Sequence, residues 1–120
     1  MTAGWRTPRL LLCATYFAVT IGRIVDGDTV DATIKIYPNQ TAQVRIRVLG
    51  VDTPEKKAAT MEAAQRATAF TQDWLTKPGE AVTVHACRFD TLSRLLWRMC
   101  RGTAGCLDEA LIGAGHGVAR

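Results

Sequence analysis

Apolar and charged residues alternate across positions 43–51, and this alternation constrains the fold more than any other stretch of the chain. Successive side chains of a strand point to opposite faces, so Val44, Ile46 and Val48 share one face and Arg45 and Arg47 the other. Pro54 ends the run, because the residue before a proline is held extended and the ring cannot donate to a ladder. Upstream, residues 19–25 and 29–37 read as two further strands, with Asp26-Gly27 as the bend between them. Pro38-Asn39-Gln40 is a turn signal that makes 29–37 and 43–51 a hairpin. Asn39-Gln40-Thr41 also fits a glycosylation acceptor, but a hairpin tip is the better account of it.

From residue 58 to 75 the period changes. Met61, Ala64, Ala67, Phe70 and Trp74 recur every three or four residues, which predicts an amphipathic helix, and Pro78-Gly79 stops it. Residues 82–89 and 95–100 read as two more strands and 107–114 as a short closing helix. Three strands, a helix, two strands and a helix predict a mainly β protein of the α+β class. The expected form is a five-stranded Greek-key barrel of OB type with a helix plugging one end. An α+β sandwich is the alternative.

With 120 residues and no internal repeat, the chain is expected to form one domain. Its 22% charged and 48% hydrophobic residues describe a globular chain rather than a disordered one. The net charge of +4 favours polyanionic partners without requiring them. Arg6 and Arg9 precede the apolar stretch 10–19, which resembles the start of a secretion signal. That stretch is too short for a membrane span. Leu12 and Tyr16 occupy positions where a cleavage site wants small residues. Residues 1–18 therefore read as an N-terminal extension or a signal segment, and 19–120 as the folded domain. The protein would be secreted or envelope-associated if the segment acts as a signal, and otherwise cytoplasmic. Cys13, Cys87, Cys100 and Cys106 form no C-x-x-C pair, which argues against zinc. Cys100 and Cys106 flank a turn and could bridge in an oxidising compartment, but two buried thiols are the preferred reading.

The residues with chemistry cluster at two strand ends. Asp26 and Asp28 are two apart and point to the same side. Paired aspartates at a turn usually carry no function, and the spacing does not fit an EF-hand. Asp52 and Glu55 change this, because the hairpin returns the end of the third strand towards Asp28. Asp28 and Asp52 can then offer carboxylate oxygens, and Thr53 its carbonyl, to one hard cation, for which calcium suits better than magnesium. Glu55 is placed to act on a water as general base. It also fits a helix N-terminal charge. Arg47, nearer to the acids than Arg45, can grip a phosphate through two parallel hydrogen bonds, or simply face solvent. Arg94 follows the turn expected between the last two strands, and pattern alone does not place it.

Taken together, Asp26-Gly27-Asp28-Thr29-Val30 and Arg47-Val48-Leu49-Gly50-Val51-Asp52-Thr53-Pro54-Glu55 resemble the first signature of the staphylococcal nuclease-like, or thermonuclease, family. The resemblance runs from about Thr20 to Ala119. A second family signature keeps only its ends here, as Asp90-Thr91-Leu92-Ser93-Arg94. Asp108-Glu109-Ala110-Leu111 matches a third, near the final helix. The resemblance implies an OB barrel and calcium-dependent, thermonuclease-like endonuclease cleavage of DNA or RNA phosphodiesters. Little sequence preference and a preference for single strands are expected of a small barrel face, and the protein is expected to be a monomer. It implies that Asp28, Asp52 and Thr53 bind Ca2+ with Asp26 supporting them. Glu55 would activate water, and Arg47 and Arg94 would hold the scissile phosphate. Three departures stand out. The segment between Asp28 and Arg47 is longer than usual. Leu92 replaces a tyrosine that helps to seat the nucleotide, where Trp97 could stack but reads better as core. The sequence stops at Arg120, where the family continues into a further helix. The alternative is a catalytically weak or inactive OB-type nucleic-acid-binding module, and a calcium-stabilised structural domain is a third reading.

Overall fold

In the computed structural model, residues 15–79, 81–89 and 95–120 are described. Strand β1 (Thr15–Asp26) starts inside the segment read as an extension, and pairs antiparallel with both β2 (Thr29–Tyr37) and β5 (Thr83–Phe89). The β2–β3 hairpin, with β3 spanning Gln40–Val48, turns at Asn39, whose φ of 70° is tolerated best by asparagine among non-glycine residues. β6 (Leu95–Cys100) closes the sheet by pairing parallel to β3 and antiparallel to β5. The result is a closed five-stranded mixed barrel in the order β1-β2-β3-β6-β5. Helices α1 (Met61–Thr76) and α2 (Leu107–Gly113) pack on it, an arrangement compatible with an OB-like α+β fold. No helix among the described residues is long and apolar enough to cross a membrane.

The expected third strand does not run through to residue 51. It breaks at Gly50, whose φ of +92° only glycine adopts at low cost. The chain resumes as the two-residue strand β4 (Val51–Asp52), which pairs with β7 (Val118–Ala119) just after α2. Neither β4 nor β7 is long enough to leave a periodic pattern in the sequence.

The core is apolar and fully enclosed. Val30, Ile46, Val48 and Val51 from the first half meet Val84, Met99, Leu107 and Leu111 from the second, all at about zero exposure. Trp97 belongs to this cluster rather than to a stacking surface. Truncating such side chains typically costs about 2–5 kcal/mol, because transfer and cavity terms add.

Helix α1 buries Ala64, Ala67, Thr71 and Leu75, so its inward stripe is rotated from the expected one; Phe70 and Trp74 are only half-buried and Met61 is exposed. The cause is polar. The Thr71 hydroxyl donates to the Gly27 carbonyl at 2.6 Å, which draws a threonine into the interface. Ala67 and Gly27 permit the approach, since a Cβ on Gly27 would lie 2.8 Å from that of Ala67.

Cys100 and Cys106 are joined by a disulfide, which corrects the expectation of two free thiols. The two residues form an antiparallel bridge, and the Arg101 amide donates to the Gly105 carbonyl at 2.9 Å, so the hairpin itself sets the sulfurs opposite one another. Within this loop the Arg101 guanidinium donates to the carbonyls of Trp74 (2.9 Å) and Lys77 (2.7 Å), capping the C-terminal end of α1.

Candidate active site

The β2–β3 register sets Thr29 opposite Arg47, and the Val48 amide donates to the Asp28 carbonyl at 2.8 Å. The Asp26-Gly27-Asp28 bend is thereby fixed beside the end of β3. The turn at Gly50 then folds β4 back over it. The burial pattern of β3 records the change: alternation gives way to three consecutive buried residues, Ile46, Arg47 and Val48. Arg47 is only 5% exposed, so it does not lie on a solvated strand face. Arg45, on the same side of the strand but further along, is exposed and bonds Asp31 through two nitrogens at 2.7 and 3.1 Å.

Arg47 organises the site. Its Nη1 donates to the carbonyls of Val48 (3.0 Å) and Val51 (2.8 Å) and lies 3.3 Å from Asp28 Oδ2, while Nη2 donates to Asp52 Oδ1. One guanidinium thus touches both aspartates and locks the turn between β3 and β4. Asp28 is held from the other side: Oδ2 accepts the Thr53 amide at 3.0 Å and Oδ1 the Thr29 hydroxyl at 3.1 Å.

An open cavity of about 880 Å3 receives these groups. Asp26, Asp28, Arg47, Asp52, Thr53 and Glu55 all line it. Six of the seven site residues expected from the sequence are therefore brought together. The seventh, Arg94, lies outside the described residues, as do Asp90 and Leu92. Glu55 stands at the rim, its side chain 73% exposed and its Oε2 3.1 Å from the Lys57 ammonium. Lys56 reaches across to the Val25 carbonyl at 2.7 Å and lies 3.9 Å from Asp26. Lys56, Lys57 and Arg120 also line the cavity, and no sequence signal points to them. Arg120 reaches it from beyond β7, donating through Nη1 to Asp52 Oδ1 at 3.0 Å.

The donor chemistry fits a hard cation. The acids are carboxylates, which bind calcium or magnesium in preference to softer metals. Among the described residues, Asp52 Oδ2 accepts no hydrogen bond. The Thr53 hydroxyl is buried without any partner there, the condition that a bound water or ion relieves. No three His, Cys, Asp or Glu side chains group as a metal cluster among the described residues. The expected ligand set does not require one, because its third oxygen comes from the Thr53 backbone.

Burial is the largest influence on Asp26 and raises its carboxyl above the ordinary value; the Lys56 cation opposes this, and the neighbouring Asp28 and Glu55 add to it. A carboxyl raised in the native state favours folding below its unfolded value of 3.8, and that contribution is lost as the pH climbs through the native value. Asp26→Asn is therefore expected to raise the urea midpoint at neutral pH and to leave it nearly unchanged at about pH 3, where both states are protonated. Equal midpoints at neutral pH would show that the carboxylate is not strained by burial.

No family model matches this chain, and a search of curated proteins also finds no match.

Proposed function

We propose that the protein is a staphylococcal nuclease-like enzyme, an OB-type Greek-key barrel that hydrolyses phosphodiester bonds of DNA or RNA with calcium and little sequence preference. The observation that supports this most strongly is the gathering of Asp28, Asp52, Glu55 and Arg47 around one cavity, from segments that the first family signature spans. In this reading Asp28, Asp52 and Thr53 hold the ion, and Asp26 supports them from the adjoining bend. When bound, calcium supplies charge that neutralises a non-bridging phosphate oxygen. Glu55 accepts the proton of the attacking water, and its exposed position at the rim suits access to solvent. Arg47 fixes the acids relative to one another and contributes positive charge where negative charge develops. Arg94 is assigned to the phosphate by resemblance alone. An open cavity on a small barrel admits an unstacked strand more readily than a duplex, so single-stranded substrates are favoured.

One observation favours a second reading. A guanidinium already spans Asp28 and Asp52, so the acids have a resident counter-charge without any ion. That arrangement also suits an OB-type module that binds strands and never cuts them.

One gel separates these readings. Plasmid and single-stranded DNA are incubated with purified protein, with calcium or with chelator. The nuclease reading expects new DNA ends with calcium and none with chelator. Retention of the strand without new ends in both conditions would establish the binding module. A melting temperature raised by calcium, with neither retention nor cleavage, would leave a metal-stabilised structural domain.

A further inference from the structure

We infer that Arg120 is a guanidinium that grips the substrate phosphate, an assignment that rests on the nucleic-acid reading above. Gripping an anion takes donors that are not already committed. Both Nη1 hydrogens of Arg47 go to the carbonyls of Val48 and Val51, and Nη2 gives a hydrogen to Asp52. Those carbonyls belong to the turn that carries Asp52 into the site. Releasing them would open the turn and strand two buried acceptors. Three of its five donor hydrogens are committed and the side chain is buried, so Arg47 is the clamp of the acid cluster and its capacity for a phosphate is small.

Arg120 has the opposite character. Its side chain is 63% exposed, lines the same cavity, and among the described residues bonds one group, Asp52 Oδ1. A guanidinium has five donor hydrogens, so most of this fork is free for the two non-bridging oxygens of a phosphodiester. Its backbone is nevertheless fixed. The Arg120 amide donates to the Gly50 carbonyl at 3.1 Å, and the preceding residues pair with β4. Two glycines allow that docking. Gly115, with φ of +81°, turns the chain out of α2. Gly117 lies where a Cβ would come within 2.5 Å of Val51 Cγ2. Asp52 holds the fork at the cavity before any phosphate arrives, so little ordering remains to be done on binding.

The test uses the full chain and a fluorescein-labelled twelve-residue oligo-dT. Binding is measured with chelator, and with calcium in a Glu55→Gln background so that the strand stays intact. Arg120→Ala is expected to weaken binding about tenfold, the loss of one charge-assisted contact. The slope of log K against log salt should fall by about 0.7, the value of one phosphate contact on a single strand. The melting midpoint should hold. Arg120→Lys should restore the slope but not the full affinity, because an ammonium lacks the planar fork. If the alanine variant melts early, Arg120→Gln, which keeps a donor for Asp52 without the charge, reads the same slope. A parent that binds normally beside variants with unchanged slope overturns Arg120 and leaves the nucleic-acid reading standing. A parent that retains no oligonucleotide in either condition overturns both.

Discussion

Under the proposed nuclease reading, Glu55→Gln is expected to lower turnover on single-stranded DNA by about 10²- to 10⁴-fold, the usual cost of removing a general base. Strand affinity should be spared. The substitution is nearly isosteric, and the Glu55 side chain is largely in water, so no packing is disturbed. Its contact with Lys57 is a surface pair, which typically contributes only about 0–1 kcal/mol. Circular dichroism and the melting midpoint should match the parent. The measurement is single-turnover cleavage at saturating calcium, which separates chemistry from binding. A glutamine variant that cuts as fast as the parent would assign the proton to another group.

Arg47→Met is expected to be the most damaging single change to stability at the candidate site. Among the described residues Asp28 would remain buried with no counter-charge, and breaking a buried pair on one side typically costs about 3–5 kcal/mol. The carbonyls of Val48 and Val51 would lose their donor as well. Urea unfolding should show the loss as a lower midpoint. Adding Asp28→Asn to the same protein should recover part of it, since an amide needs no counter-charge and can still accept the Thr53 amide hydrogen. A single mutant that loses less than about 1 kcal/mol, the value of an exposed pair, would show that Arg47 does not hold the turn.

Much of this arrangement was legible in the sequence, for identifiable reasons. The β2–β3 hairpin announced itself through alternation and through Pro38-Asn39, and its register then brought Asp28 beside Arg47. The acids at 26, 28 and 52 were legible because each sits at a strand end, where the direction of the chain fixes the direction of the side chain. The break at Gly50 is not legible, because an apolar run on both sides of a glycine looks like one continuous strand. The rotated face of α1 is not legible either. Thr71 is buried by a hydrogen bond to a carbonyl far away in sequence, which no periodicity can register. Pairing of Cys100 with Cys106 depended on backbone bridging across a turn rather than on spacing. Arg120 gave no signal at all, since its place follows from a two-residue ladder with β4.

The parallel ladder between β3 and β6 also governs how the molecule comes into being. Ile46 meets Leu95 only after the intervening helix and β5 have been laid down, so closure is a long-range event with a correspondingly slow rate. Asp28, Arg47 and Asp52, by contrast, lie within one hairpin and its following turn, a segment able to assemble on the microsecond scale of local structure. The acids and their clamp are thus close in sequence, whereas the ladder that the last strand, β7, forms with β4 is what brings Arg120 to the rim of the cavity.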